Sequence, residues 1–280
     1  MSDSSKIPPL RVIAWGVPRS LSSVFTQCIS SKGNVEIFFE SFCTAAHGGP
    51  EKIFKTPGNL PDDVREPLMT FQYVKDLLEA NYPGRDMVFL KGMAYAIADR
   101  YDKLPEGFLH TFLIRHPGRV FPSLVRLATS IPPFLGEVDF NQINPSPGKS
   151  YKEQWDLFQY VTNELKQPVI VIDADDLIAN PASIMKQYCD KIGFKFTDDM
   201  LTWEPDLVEK HNWHLAQSQK MGNQFIGTYK RAFASTCFEG GALKKLTMTV
   251  KVMMQRQQLS SACLSMRRLP STKFCHDYDN

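Results

Sequence analysis

Short apolar runs alternate along the chain with stretches in which apolar residues recur every three or four positions. The first apolar run, Arg11 to Gly16, is followed by a polar turn and a helical pattern that starts at Leu21. Further strands are predicted at 35–41, 87–91, 109–114 and 168–173, and helices at 64–78, 94–101, 117–130, 151–166 and after Pro181. This alternation predicts an α/β protein in three layers, with a central parallel sheet flanked by helices.

Charge divides the chain into two parts. Residues 241–280 carry seven basic and two acidic side chains, a net charge of +5, whereas residues 1–240 carry 25 basic and 28 acidic ones, a net charge of −3. We therefore expect one α/β domain over 1–240 and a basic C-terminal helix or tail, partly disordered, over 241–280. Polar or Pro-rich stretches at 48–62 and 131–148 are predicted to be loops.

Composition narrows the class of protein mainly by exclusion. A net charge of +2 over 280 residues gives no support for a nucleic-acid partner. No apolar run reaches the length of a membrane span, and the first residues lack a signal-peptide pattern. Six cysteines without metal-ligand spacing indicate reduced thiols, so a cytoplasmic location is expected. The oligomeric state stays open.

The turn after the first strand has the properties of an anion site. Unpaired backbone N–H groups and the positive end of the helix dipole converge where a strand and a tight loop lead into a helix. Arg19 adds a positive charge, and Ser20, Ser22 and Ser23 add hydroxyl donors. A nucleoside-triphosphate P-loop needs a second glycine and a lysine, but the residue six positions after Gly16 is a serine. The loop therefore predicts a phosphate or sulfate ligand of another kind.

A second strand-to-helix junction carries a similar signal. The strand at 109–114 is followed by Arg115 and by a helix whose first residue is Pro117, a favoured position for proline. Ser123 follows Arg115 by eight positions. The planar guanidinium of arginine suits bidentate binding of a phosphate. Arg126, further along this helix, is interpreted as part of a solvated face.

These two segments together resemble the sulfotransferases that use 3′-phosphoadenosine 5′-phosphosulfate (PAPS). The resemblance implies transfer of a sulfuryl group from PAPS to a hydroxyl or amine of a small-molecule or glycan acceptor, leaving the desulfated product PAP, with no metal. The first loop would hold the phosphosulfate, and Arg115 with Ser123 the 3′-phosphate, so that two clusters bind opposite ends of the donor. The implied donor-binding residues are Gly16, Pro18, Arg19, Ser20, Leu21, Ser22, Ser23, Arg115 and Ser123.

The same resemblance implies catalytic roles for Arg19, Lys91 and Glu40. Lys91 closes an apolar run 24 residues before Arg115, where the family has a lysine that contacts the transferring group. The cytosolic branch of the family has a histidine base two residues later, but this chain has Met93 there. Glu40 is the expected base, since a buried carboxylate at a strand end can serve as one. His47, on a predicted Gly-rich loop, is the second candidate.

Three further segments have competing interpretations. Trp203 and Trp213 are interpreted as core residues, with stacking on the adenine as the alternative. Residues 222–231 are a possible basic loop near the 3′-phosphate. The apolar strand that ends in Asp173 also resembles the Mg²⁺-binding strand of a P-loop kinase. A non-catalytic module that binds PAP is the other alternative, because Met93 cannot take a proton.

Overall fold

Five apolar runs form one parallel sheet in the computed structural model, which describes residues 8–54, 66–129, 147–205 and 207–239. The strands lie in the order β2-β3-β1-β4-β5, and every neighbouring pair is parallel. Their bounds are β1 Leu10–Gly16, β2 Val35–Phe39, β3 Met87–Met93, β4 Leu109–Ile114 and β5 Ile170–Asp173. This arrangement confirms the predicted α/β class with a central parallel sheet.

Helices connect the strands and cover both faces of the sheet. Their bounds are α1 Ser22–Ser30, α2 Ser41–Gly48, α3 Phe71–Glu79, α4 Pro117–Thr129, α5 Pro147–Asn163, α6 Ala174–Ala179, α7 Pro181–Ile192, α8 Leu207–Lys210, α9 Gln217–Ile226 and α10 Lys230–Phe233. Short 3₁₀ turns lie at Ala94–Ala96, Tyr101–Lys103 and Asp198–Leu201. Within the described ranges, none of these helices combines the length and apolar character that a bilayer crossing requires.

The three layers follow from the alternation of side chains along the strands. In β1, Ile13 and Trp15 face the cluster formed with α2, α3 and α5, while Val12 and Ala14 face the cluster formed with α1 and α7. All four side chains are almost completely buried. A strand that is buried on both faces must be apolar at every position, which explains why this run was recognisable in the sequence.

The segment after α8 closes the free edge of β2. The His214 N–H donates to the Ile37 carbonyl at 2.8 Å, and the Phe39 N–H donates to the His214 carbonyl at 3.1 Å. Trp213 and Trp203 are buried, with indole N–H groups that donate to Ser30 Oγ and to the Ser235 carbonyl, respectively. Both tryptophans are therefore core residues, as the first interpretation held.

Several predicted boundaries were wrong. The helix predicted from residue 64 begins at Phe71, because the Thr70 side chain accepts a hydrogen bond from the Tyr73 N–H and caps it there. The helix predicted at 94–101 consists of two separate 3₁₀ turns, and α5 begins at Pro147 rather than at 151. Most of the predicted loop at 131–148, part of the one at 48–62, and the tail 241–280 lie outside the described residues.

A buried histidine in β4 predicts acid sensitivity of the fold. The Trp15 indole N–H donates to His110 Nδ1 at 2.9 Å, so the imidazole is neutral with its hydrogen on Nε2. Burial lowers the pKa of His110 from 6.5 to about 4. Below pH 6.5 the unfolded chain therefore binds a proton that the folded chain does not, and stability falls as the pH falls towards 4.

We expect this single group to cost about 2 kcal/mol of unfolding free energy between pH 7.5 and pH 5. Urea unfolding at the two pH values measures the change. His110→Asn keeps an acceptor for the Trp15 N–H but does not titrate. The free energy of unfolding of this variant should therefore fall by about 2 kcal/mol less than that of wild type between pH 7.5 and pH 5. Equal pH dependence in the two proteins would contradict the assignment.

Candidate active site

The carboxyl ends of β1, β3 and β4 meet at one edge of the sheet. Gly16, the last residue of β1, pairs with Met93 of β3 on one side and with Leu113 of β4 on the other. The chain leaves β1 towards β2 and leaves β4 towards β5, so β1 and β4 flank a point where the connections diverge. Ligands of open α/β sheets bind at such a point.

The loop between β1 and α1 has an unusual backbone. Arg19 and Leu21 both have positive φ angles, of 65° and 66°, which are uncommon for residues other than glycine. A loop of this kind turns backbone N–H groups towards a common centre and forms an anion-binding concavity. Gly16 leaves room behind it, because a Cβ at that position would lie 2.8 Å from Ser20 Oγ and one of the two would have to shift. The buried Ser20 hydroxyl has no hydrogen-bond partner among the described residues.

Arg19 joins the two predicted donor-binding clusters. Its Nε donates to Ser123 Oγ at 3.0 Å and its Nη1 to the Thr228 carbonyl at 2.9 Å. Arg115 Nη1 in turn donates to the Arg19 carbonyl at 3.0 Å. Burial, followed by the charge of Arg115, lowers the pKa of Arg19. The clusters expected at opposite ends of a donor therefore touch each other, and they place two guanidinium groups in one cleft.

Arg115 is held by residues that the sequence did not reveal as partners. Its Nε lies 3.4 Å from Asp175 Oδ1, at the start of α6, and its carbonyl accepts a hydrogen bond from the Tyr151 hydroxyl at 2.9 Å. The carboxylate of Asp173 accepts from the Asp175 N–H at 2.9 Å, at the N-terminus of α6. Asp173 therefore caps α6, and Asp175 pairs with Arg115.

Glu40 and Lys91 form a buried ion pair at the other side of the loop. Lys91 Nζ contacts Glu40 Oε1, and the two side chains are 1% and 8% exposed. The Tyr229 hydroxyl donates to Glu40 Oε2 at 2.8 Å. The Glu40 N–H donates to the Lys91 carbonyl at 2.7 Å, and Glu40 has a φ of 51° immediately before α2. The predicted catalytic lysine and base thus lie side by side.

His47 has a different environment from the one predicted. It belongs to α2 rather than to a Gly-rich loop, and its ring stacks on Phe54 with centroids 4.6 Å apart. Tyr95 packs against the same ring from the edge. Burial lowers the pKa of His47 to about 4, so the imidazole is neutral near pH 7. These contacts are those of a packed side chain.

A cleft of about 440 Å³ runs between these groups, within the size range of small-molecule sites. Six basic and three acidic side chains line it, which favours an anionic ligand. They are Arg19, Lys91, Arg115, Arg119, Arg126 and Arg231, with Glu40, Asp175 and Glu239. Arg126 is exposed, as predicted, but it also borders the cleft. The possible basic loop at 222–231 is instead α9, a turn and the start of α10.

Comparisons with known proteins identify the fold. The structure superposes on the sulfotransferase domain from the curacin biosynthetic pathway with a TM-score of 0.56 and 17% identity, covering 94% of this chain and 99% of that domain. The sulfotransferase domain of the Synechococcus PCC 7002 olefin synthase gives a TM-score of 0.50 and 14% identity, covering 99% of each chain. The chain has the sulfotransferase fold.

Sequence similarity is more limited. Sulfotransferase ppzF of Metarhizium majus (strain ARSEF 297) is 33% identical over 116 residues, which are 36% of this chain and 33% of that protein. Branched-chain-amino-acid aminotransferase-like protein 2 of Arabidopsis thaliana is 26% identical over 200 residues, 68% of this chain and 31% of that protein. The chain thus spans about a third of the length of these relatives. No protein-family model matches it.

In this sulfotransferase fold, nearly all of the site residues predicted from the sequence share the one cleft. Nine of them line it: Pro18, Arg19, Leu21, Ser22, Ser23, Glu40, Lys91, Arg115 and Ser123. Gly16, at the end of β1, and Ser20, within the loop, are buried. The sequence did not reveal Thr228 and Tyr229, which come from the turn after α9 and contact Arg19 and Glu40.

Proposed function

We propose that this chain transfers a sulfuryl group from PAPS to a hydroxyl or amine of a small-molecule or glycan acceptor. The observation that carries the proposal is that one cleft combines the Arg19 loop, the Arg115 and Ser123 junction, and the Lys91–Glu40 pair. The sulfotransferase fold and the partial similarity to a protein named as a sulfotransferase support it.

The loop after β1 suits the phosphosulfate end of this donor. The first N–H groups of α1 have no acceptor within the helix, and Ser22 and Ser23 line the cleft beside them. Arg19 donates to a hydroxyl and a carbonyl, both neutral, so its positive charge can interact with a ligand anion. Arg115 and Ser123 would hold the 3′-phosphate. PAPS supplies an electrophilic sulfur and a phosphate as leaving group.

Residues of this chain would then accept the proton of the acceptor and neutralise the negative charge that develops during the transfer. Glu40 accepts the acceptor's proton as the acceptor oxygen or nitrogen bonds to sulfur and the bond from sulfur to the bridging phosphate oxygen breaks. Arg19 and Lys91 neutralise the negative charge that collects on the bridging and sulfuryl oxygens. Because these cations are already fixed by hydrogen bonds or an ion pair, little reorganisation is needed during the reaction.

A non-catalytic PAP-binding module is the second candidate. Two observations favour it. Both carboxylate oxygens of Glu40 already accept hydrogen bonds, from Lys91 and Tyr229, and the cleft wall has Met93, which cannot take a proton, where the cytosolic branch of the family has a histidine base. The P-loop kinase alternative has less support, since the loop lacks its lysine and Asp173 caps α6.

Calorimetry with PAP and, separately, with Mg·ATP tests the ligand class. We expect PAP to bind and Mg·ATP to bind far more weakly. PAPS consumption is then followed with and without pooled metabolites, and mass spectrometry detects any product that gains the mass of a sulfate. Binding of PAP with no consumption of PAPS in any pool would support the binding module, and a preference for Mg·ATP would support a kinase.

Replacing Arg115 with alanine should weaken PAP binding by about 10- to 100-fold, the range for losing a hydrogen bond to a charged group. Calorimetry of the variant measures the dissociation constant. Arg85→Ala is the control, because Arg85 pairs with Glu36 next to the start of β3, away from the cleft. An unchanged dissociation constant in Arg115→Ala would remove the 3′-phosphate role from this residue.

A further inference from the structure

Tyr229 reaches the predicted base from a distant part of the chain. It follows α9 in a turn, 189 residues after Glu40. Its ring packs edge-on against Phe39, with centroids 5.0 Å apart, and stacks on Phe233 at 5.4 Å. Its backbone N–H donates to Asn223 Oδ1 at 2.8 Å. Ring and backbone are both fixed, so the hydroxyl has a defined position.

The two oxygens of the Glu40 carboxylate are held by different donors. Lys91 contacts Oε1, and the Tyr229 hydroxyl contacts Oε2. An ionised carboxylate only accepts hydrogen bonds, so the hydrogen in the second contact belongs to the phenol. Burial, followed by the negative charge of Glu40, raises the pKa of Tyr229, which keeps the phenol protonated. Each carboxylate oxygen retains a further lone pair for another donor.

We propose that Tyr229 is a positioning residue that holds the Glu40 carboxylate opposite Lys91 and fixes the direction in which it accepts the acceptor's proton, an inference that rests on the proposed sulfuryl transfer. The preceding residue adds to this role. The Thr228 carbonyl accepts from Arg19 Nη1 at 2.9 Å, so two consecutive residues of one turn contact the base and the loop arginine. The turn after α9 thereby contacts groups that follow β1 and β2.

The groups around Glu40 determine how the contact with Tyr229 can be tested through the pH dependence of the rate. The titratable groups that face it come from β3, α2 and the turns after β3 and α9: Lys91, Cys43, His47, Tyr95 and Tyr229. Burial raises the pKa of Cys43 and of Tyr95, and lowers that of His47 to about 4. These three are neutral between pH 5 and 8, so they do not contribute to a change in that range.

The test removes the hydroxyl alone, with Tyr229→Phe, and retains the ring packing. A donor to the ionised form stabilises that form, so its loss should move the acidic limb of the pH–rate profile for PAPS consumption up by about one unit. Below that limb the rate should fall about tenfold, with the affinity for PAP unchanged. Carbon-13 NMR of the side-chain carboxyl, identified by its absence in Glu40→Gln, should show a changed chemical shift, because the donor to Oε2 is gone.

Tyr73→Phe is the matched control, since it removes a hydroxyl from a side chain on α3 that is 40% exposed. If the carboxyl chemical shift and the pH–rate limb of Tyr229→Phe coincide with those of wild type, the positioning role is overturned, even if the variant melts at a lower temperature. A wild-type protein that neither binds PAP nor consumes PAPS overturns the proposed function and this role with it. Failure of the proposed function can be distinguished from failure of the positioning role, because it is seen in the wild-type protein before any variant is compared.

Discussion

Replacing Glu40 with glutamine is expected to lower PAPS consumption by about 10³-fold, the middle of the range for loss of a general base. Glutamine has the same shape, but it cannot take the acceptor's proton. Its amide N–H₂ must also face either Lys91 or Tyr229, both of which are donors in the wild type. PAP affinity should change little, because the donor-binding groups belong to the Arg19 loop and the Arg115 junction.

The same substitution should destabilise the fold, and this effect has to be separated from catalysis. Lys91 is 1% exposed, so Glu40→Gln leaves a buried ammonium without its counter-charge, at a cost of roughly 3 kcal/mol. The double variant Glu40→Gln/Lys91→Met removes both charges and should recover most of that stability, as urea unfolding would show. Its PAPS consumption should stay at least as low as that of the single variant. If activity returned with stability, Glu40 would be a structural partner of Lys91 and not the base.

The residues at strand ends could be predicted because the information is local. Each apolar run identifies a buried strand, and parallel strands bring their carboxyl ends to one edge. Arg19 and Arg115 follow β1 and β4 at this edge, and Lys91 lies near the end of β3. The loop signal required only neighbouring residues: Gly16 at the strand end, Arg19, and serines that lead into a helical pattern. What the sequence could not give is the direct link from Arg19 to Ser123, since that depends on how α4 packs over the loop.

The second helix was missed for a physical reason. All residues from Ser41 to Ala46 are buried, so α2 has no alternation of exposed and apolar positions from which a helix is recognised. Gly48 and Gly49, which follow His47, instead suggested a loop. This error also affected the predicted site: the sequence predicts His47 on a loop, whereas in the structure it belongs to α2 and packs against Phe54.

Tyr229 and Thr228 depend on tertiary structure alone. Their contacts with Glu40 and Arg19 span 189 and 209 residues. The sequence around them suggested basic phosphate contacts, but the structure uses a phenol and a backbone carbonyl. Arg231, one of the two basic residues of that segment, is exposed and lies 3.5 Å from Glu239 at the cleft. A carbonyl contact has no sequence signature, because every residue carries one.

Replacing Arg19 with alanine is expected to lower PAPS consumption by at least about 10²-fold, the scale of losing one preorganised donor to developing charge. Arg19→Lys retains a charge but not the planar fork that reaches both Ser123 and Thr228, so its rate should lie between those of wild type and Arg19→Ala. Steady-state assays at saturating PAPS measure all three.

Ser123→Ala distinguishes the effect of the positive charge of Arg19 from the effect of the hydrogen bond that orients its side chain. It removes the acceptor at 3.0 Å from Arg19 Nε and leaves the guanidinium bound to the Thr228 carbonyl. It also removes the hydroxyl proposed to hold the 3′-phosphate, so its rate is compared at saturating PAPS, where weaker donor binding does not limit it. Because one neutral hydrogen bond contributes about 1 kcal/mol, its rate should fall by less than about tenfold. A near-normal rate in Arg19→Ala would refute the catalytic role. An equally large loss in Ser123→Ala and Arg19→Ala would show instead that the orientation of the loop, and not the positive charge, limits the reaction.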